Sequence, residues 1–376
     1  MLSYWEKQSL LQYDYIIAGS GIVGLSTAVS LKEKLPAARV LVLEKDILPT
    51  GASTKNAGFA CIGSLTELLS DLKTMPADEV IALLQMRRNG LQLLRKRIGD
   101  EYMEYHENGS HELIGAQEEH TLTEIDRVNA LLRPLLGGEA FTLVNNRIKD
   151  FGFNSHYVKA LISNNYEGEL HTGRMMRCLI DLAITKGVEI KTGCSVSRLE
   201  DLQTGVRVVV PRSNGEEIGF MARRVAVCTN AFARELMPDI DLQPGRGQVL
   251  LTNVIPDLPF RGVFHMDEGY FYFRELDGRV LFGGGRNLDF EKEATTSFDL
   301  NQEIQQQLEN RLHDIILPKH SFMITDRWTG IMAFGKTRQP VIRFYTRNII
   351  SGVRMGGMGV AIGSAVGEQL SSLLTE

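Results

Sequence analysis

The sequence predicts an α/β protein in which a parallel-sheet dinucleotide-binding unit is interrupted by a second unit built on antiparallel strands. Three observations predict it. A strand, a glycine turn, a helix and a second strand fill Asp14–Glu44. A second glycine-rich strand-to-helix turn, Gly352–Val360, stands near the other end of the chain. Between them, Gly262–His265, Gly269–Glu275 and Arg279–Gly283 alternate in the two-residue rhythm of strands joined by tight turns.

The first series can be justified residue by residue. Tyr15–Ala18 is a short apolar run, Ile22–Leu35 has helical spacing, and Val40–Leu43 is a second buried-strand run. Gly19-Ser20-Gly21-Ile22-Val23-Gly24 fits the G-x-G-x-x-G pattern, and Glu44 ends the second strand where the fingerprint needs an acid. Gly19 allows the sharp turn, Gly21 lets a pyrophosphate approach the backbone, and Gly24 lets the helix lie close to the sheet. The helix start offers free N–H groups to phosphate. A carboxylate at Glu44 suits the two hydroxyls of an adenosine ribose and repels a 2′-phosphate. This is a Rossmann-like unit.

Bulk properties narrow the function classes. The chain has 376 residues, 43% hydrophobic and 23% charged, with a formal net charge of −5. That length holds about two domains. No basic stripe suggests nucleic acid as a partner. The densest basic cluster, Arg87-Arg88 with Arg95-Lys96-Arg97, lies in a helical segment and reads as a solvated face. No run reaches the ~20 apolar residues of a membrane span. The leading MLSYWEKQSLLQYD has no signal-peptide layout and reads as an extension or short helix. Cys61, Cys178, Cys194 and Cys228 are scattered, which suggests free thiols and a cytoplasmic location. The eight histidines show no metal-binding spacing, so no metal is expected.

The remaining elements follow in order. Thr50–Ala60 is a small, polar loop able to run beside a cofactor. Met75–Ile98 reads as a helix, with Pro76 in its first turn and Asp78 and Glu79 at its N-terminus. Ser110–Ile114 and Phe141–Val144 read as strands around a Thr121–Leu136 helix that ends at Gly137-Gly138. Met175–Lys186 reads as a helix, and Val188–Lys191 and Arg224–Thr229 as strands. Val206–Pro211 and Ile218–Ala222 form a hairpin about Asn214-Gly215. In Gly269–Glu275, Tyr270, Tyr272 and Arg274 share one face, opposite Phe271 and Phe273. Asn301–Leu317 reads as a helix stopped by Pro318, and Asp326–Phe334 as a strand. The dinucleotide-binding unit is assigned residues 1–75, 150–242 and 327–376, and the second unit residues 76–149 and 243–326.

Taken together, these pieces resemble the D-amino-acid-oxidase-like FAD oxidoreductases, the group that includes glycine oxidase and sarcosine oxidase. The residues carrying the resemblance are Gly19–Gly24 with Glu44, Ser53–Ala60, Leu170–Arg174, Val225–Phe232, Arg246-Gly247-Gln248, Leu281–Arg286 and Gly356–Gly367. It implies a Rossmann-like FAD-binding domain with a discontinuous substrate domain. It implies cofactor contacts from Gly19, Gly21, Ile22, Val23, Gly24, Glu44 and Lys45. The loop after the second strand adds Ser53, Thr54, Asn56, Ala57 and Gly58. Val196, Thr229, Asn230 and Gly330 follow, and the last turn adds Met355, Gly356, Gly357, Met358, Gly359 and Val360. That turn would place a helix start beside the flavin edge that becomes negative on reduction.

The resemblance also implies hydride transfer to the flavin from a carbon bearing an amine or a hydroxyl, on a small amine, amino acid or hydroxy acid. Alignment alone can serve such chemistry. Several family positions differ here. Met332, in Trp328-Thr329-Gly330-Ile331-Met332, occupies the place of a carboxylate-binding arginine, and Gly357 falls near the second such arginine. Arg354 is close enough to substitute. Arg279–Arg286 lacks the lysine that promotes reaction with oxygen, which leaves another electron acceptor open. Ser53–Gly58 has no His and Ala333–Ile342 no Cys, so FAD is expected to be non-covalent. Substrate-side candidates are Tyr270, Arg274, Met332, Arg354 and Met355, with Tyr272 and His265. The tyrosines read equally as sheet packing, His265 as a core or surface histidine, and Cys61 as an inert buried thiol. The competing functions are an amine or amino-acid oxidoreductase, a 2-hydroxy-acid dehydrogenase of the same fold, an NAD-dependent dehydrogenase, and a flavin-binding assembly protein.

Overall fold

Ile16 and Ile17, neighbours in one strand, are both fully buried, yet they belong to different cores. That alternation shows how the first sheet is built: it is covered on both faces, as parallel sheets are. A computed structural model describes residues 2–376, and Met1 of the leading extension lies outside them. Gln12–Ala18 runs parallel to Val40–Leu43 on one side and to Glu217–Val227 on the other. Glu189–Lys191 and Ile349–Val353 extend the sheet in parallel, and Val341–Phe344 closes one edge antiparallel. The helices Ile22–Lys34, Ala77–Ile98, Thr172–Thr185 and Gly359–Thr375 supply one covering core. A meander of Arg198–Leu202, Gly205–Pro211 and Glu217–Val227 supplies the other, with its tip at Asn214-Gly215.

The first and last helices are close neighbours. A side-chain carbon built on Gly363 would stand 2.7 Å from Ile22, and one on Gly367 would stand 2.7 Å from the Thr27 amide. Ser26 and Ser364 share a hydroxyl contact of 3.2 Å in the same seam. Glycine here brings two helix backbones together, and with them the two glycine-rich turns.

The second sheet is eight-stranded, from Ile324–Phe334 at one edge to Thr142–Leu143 at the other. Phe271 and Phe273 face its core, as the alternation predicts, and join Phe153, Phe260, Phe264 and Phe282. Phe264 and Phe273 stack at 4.6 Å, and their neighbours meet them edge-on. The helix Gln302–Arg311 seals this core with Ile304 and Leu308 before a single π-turn leads to Pro318.

Four expectations are corrected. Ala160–Asn164 pairs with Ser110–Ile114 in the second sheet, so the boundary at 150 comes too early. Likewise, position 327 falls inside the edge strand Ile324–Phe334. Pairing partners distant in sequence decide both assignments. Within that sheet Val263–Met266 runs parallel to Ser110–Ile114, so it is not purely antiparallel. The expected solvated basic face holds for Lys96, but Arg87 and Arg97 are struts. Arg87 is buried and donates to the Ile62 carbonyl at 2.6 Å, and Arg97 reaches Ser30 and Glu33. Leu65–Thr74 is a helix the apolar periodicity did not reveal, started by a reciprocal Ser64–Glu67 capping box. Among the described residues no helix is long and apolar enough to cross a membrane.

Candidate functional site

A cavity of about 340 Å³ lies between the two sheets and takes its walls from both ends of the chain. At its deep end is the Gly19–Gly24 turn. Gly19 has φ +103, and a carbon on Gly24 would stand 1.9 Å from the Gly19 carbonyl oxygen, so neither position accepts a side chain. Glu44 is buried beside the turn, with Oε2 accepting from the Ser20 amide at 3.0 Å and the Ser20 hydroxyl at 2.6 Å. Ser20 was not singled out in the sequence, but it holds the acid in place. The Ile22 amide donates to the Ser53 hydroxyl at 3.0 Å, which ties the following loop to the first helix.

Asn56 organises that loop. Its amide donates to the Ser53 carbonyl at 2.8 Å, and its oxygen accepts from the Gly58 amide and the Thr172 hydroxyl, each at 2.9 Å. Trp328 donates to the Lys55 carbonyl at 3.0 Å and fastens the loop to the second sheet. Opposite the first turn, the helix Gly359–Thr375 begins at Met358 with no side chain capping it, leaving its amide dipoles for whatever lies at its end.

Of the residues the sequence placed beside a cofactor, most line this cavity. They include Gly19, Gly21, Ile22, Val23, Glu44 and Lys45; then Ser53, Asn56 and Ala57; then Val196, Thr229, Asn230 and Gly330; and Met355 through Val360. Three do not. Gly24 faces the turn itself. Thr54 spends its hydroxyl on the carbonyls of Pro49 and Gly51. Gly58 turns its carbonyl toward Leu170 and Arg274.

A dinucleotide fits these residues on observations of this structure. A carbon on Gly21 would stand 2.8 Å from the Ser53 hydroxyl, so a side chain there would push that hydroxyl off the Ile22 amide. The Thr229 hydroxyl is buried on the cavity wall with no hydrogen-bond partner. Such a group needs a ligand atom or water to satisfy it.

At the other end, Tyr270, Tyr272, His265, Met332 and Met355 line the cavity. Arg274 and Arg354, the two candidate arginines, do not, and this corrects their expected role. Arg274 Nη1 donates to the Leu170 carbonyl at 2.9 Å, and its Nε to the Glu275 carbonyl at 3.0 Å. Arg354 donates to the carbonyls of Gln339 and Asp241, to the Asp241 carboxylate and to the Thr337 hydroxyl. Both guanidinium groups are consumed by structure. Met332 fills the space between Gly247 and Gly357, near enough to touch a carbon built on either.

The structure adds a cation the sequence reading had passed over as a family signature. Arg286 reaches the cavity wall with its guanidinium 3.9 Å from the Phe334 ring centre, 4.8 Å from Phe290 and 5.9 Å from Tyr270. Among the described residues it has no hydrogen bond or ion pair, and burial lowers its pKa. A buried ion pair of Arg246 with Glu293, 2.7–2.8 Å, anchors the segment just after it. Burial also pushes the Tyr272 hydroxyl up to about 12, so it stays protonated. That hydroxyl donates to no group among the described residues. Phe59 packs edge-on against both Tyr272 and His265. The aromatic rings shield this end from water, while a free guanidinium and a free phenol face inward.

Comparison with known proteins adds the following. A family profile described as DAO, FAD dependent oxidoreductase, matches residues 14–373. An L-2-hydroxyglutarate dehydrogenase of Escherichia coli O17:K52:H18 (strain UMN026 / ExPEC) is 24% identical over 314 residues, covering 77% of this chain and 67% of that protein. L-proline dehydrogenase from P. horikoshii superposes with a TM-score of 0.78 at 17% identity, over 97% of this chain and 94% of its own. Glycine oxidase from Geobacillus kaustophilus gives 0.77 at 17% identity, over 97% and 95%. At such identities the two superpositions show a shared fold.

Proposed function

The chain belongs to the DAO family of FAD-dependent oxidoreductases, and from that premise we propose that it oxidises a small amino-acid-like amine carrying an anionic group. It is an enzyme that holds FAD without a covalent link. The flavin supplies the hydride acceptor when bound. The Gly19–Gly24 turn and Glu44 would hold its adenosine and pyrophosphate half. Thr229, Asn230 and the start of the Gly359–Thr375 helix would hold the rest.

One observation carries the substrate reading: among the described residues Arg286 is a cation with no hydrogen-bond or ion-pair partner, held by aromatic rings on the wall of the same cavity. It would bind the substrate's anionic group. Tyr272 would orient the substrate through its protonated hydroxyl, and Phe59, Met332 and Met355 would exclude water. Excluding water strengthens the Arg286 contact, because the local dielectric falls. A neutral amine needs no strong base. A 2-hydroxy acid is the second reading, favoured by His265 on the cavity wall, since a hydroxyl must lose its proton to a base. The four free cysteines support a cytoplasmic location.

The test is anaerobic mixing of the purified flavoprotein with panels of amino acids, secondary amines and 2-hydroxy acids. The expected outcome is flavin bleaching by anionic amines first. Bleaching by hydroxy acids alone would favour the second reading, and none by any panel would defeat both. Re-oxidation of the bleached protein by air or by a dye then identifies the acceptor.

A further inference from the structure

We propose that Cys61, Glu167 and His265 form a binding site for one divalent cation of the Zn²⁺ class, with a coordination position open to the cavity. The three residues are far apart in sequence, and the fold collects them. Phe59–Ala60 pairs antiparallel with Gly168–Glu169, which sets Cys61 and Glu167 side by side. Val263–Met266 carries His265 in from the second sheet. One ligand atom from each residue lies within 4.8 Å of the other two, and all three residues are buried.

Two of these atoms lack partners. Glu167 Oε1 accepts from the Ile62 amide at 2.6 Å and the Gly63 amide at 2.8 Å, which fixes the carboxylate. Its Oε2 is buried with no hydrogen bond, and so is His265 Nε2. They stand 4.0 Å apart, too far for a hydrogen bond. A tetrahedral ion with metal–ligand bonds of about 2.0–2.1 Å holds oxygen and nitrogen donors roughly 3.4 Å apart. An approach of about half an ångström would bring this pair to that spacing, and the Cys61 sulfur, within 4.8 Å of both, would close in by up to about an ångström to join them.

The donor set and the charge agree. Sulfur, imidazole and a single carboxylate oxygen suit Zn²⁺, whereas Mg²⁺ and Ca²⁺ prefer all-oxygen shells. A thiolate and a carboxylate carry two negative charges, which a divalent ion neutralises among buried side chains. The buried cations nearby are both spent elsewhere: Arg87 donates to the Ile62 carbonyl and lies 4.0 Å from Asp71, and Arg274 donates to the Leu170 carbonyl and lies 3.5 Å from Glu169. Cys61 and His265 also line the cavity, so the fourth position is reached from the substrate side. Three protein ligands with one open position is the pattern of catalytic rather than structural zinc.

The test uses the whole flavoprotein, dialysed against a chelator and titrated with Co²⁺. We expect one equivalent bound per chain, with the visible d–d bands of a tetrahedral thiolate-ligated ion and displacement by Zn²⁺. Cys61→Ser and His265→Ala should each weaken binding at least tenfold while flavin content and melting temperature hold. X-ray absorption on the wild-type Zn²⁺ form, which needs no variant, should show one sulfur in the first shell. Absence of saturable binding, a shell without sulfur, or a Cys61→Ser protein that binds as tightly as wild type would each overturn the proposal. None of these measurements depends on turnover, so the site can fail while the oxidation reading stands, and the reverse.

Discussion

At the cofactor end of the cavity the wall is mostly backbone, and at the substrate end it is mostly side chains. The Gly19–Gly24 turn and the Met355–Val360 turn work by leaving room and exposing amides. Arg286, Tyr272, Phe59 and Met332 work by filling room and placing charge. A wall of backbone holds the cofactor through shape, and at Gly19 and Gly24 it tolerates no added atom. A wall of side chains can be exchanged one residue at a time, which is where specificity can change without loss of the fold.

The largest expected effect tests the backbone wall. Gly24→Val would drive a side chain into the Gly19 carbonyl, 1.9 Å from the first added carbon. The protein should lose its flavin and much of its stability. A normal flavin-to-protein ratio would break the contrast. Next comes the side-chain wall. Arg286→Leu should lower kcat/KM for anionic substrates by about 10²-fold, the usual cost of removing a charged partner from a shielded contact. Neutral amines of similar size should change little, and an equal loss for both would return Arg286 to a packing role.

Arg354→Leu sharpens the distinction between arginines that bind and arginines that brace. Its guanidinium is buried and holds Asp241, Thr337 and Gln339 together. Stability should fall by about 1–2 kcal/mol, while the preference for anionic over neutral substrates stays the same. A changed preference would mean that the brace also touches substrate.

The smallest net effect lies in the sheet behind the substrate end. Burial pushes Glu112 up from 4.5 to about 7 and pulls His111 down from 6.5 to about 4. As pH rises from 4.5 to 7, the unfolded chain ionises its glutamate first, and stability falls. As pH drops from 6.5 to 4, the unfolded chain protonates its histidine first, and stability falls again. The two slopes oppose each other over most of this range. His111→Phe should expose the first slope and Glu112→Gln the second, each on the order of 3 kcal/mol. Denaturant unfolding across that pH range measures both, and a flat profile in either variant would contradict the assignment.

What the sequence made legible follows the same division. The turn at Gly19–Gly24, the acid at Glu44 and the alternation of Tyr272 against Phe271 and Phe273 all depend on local spacing, and each is found in its expected place. The Ser64–Glu67 capping box was equally local and could have announced the Leu65–Thr74 helix. Arg274 and Arg354 were misjudged for a different reason. Whether an arginine is free depends on which carbonyls the fold brings to it, and Leu170 and Asp241 come from distant segments. The grouping of Cys61, Glu167 and His265 was hidden for the same reason, because three separate strand pairings assemble it.

The seam where Gly363 and Gly367 meet Ile22 and Thr27 also bears on biosynthesis. The first half of the nucleotide cradle emerges from the ribosome early, but the helix that covers its apolar flank is translated much later. A nascent chain must therefore wait, sticky and incomplete, until Ile349–Thr375 has been made. Prematurely stopped products would lack both the lid of that core and one wall of the flavin site, leaving them natural prey for chaperones and proteases.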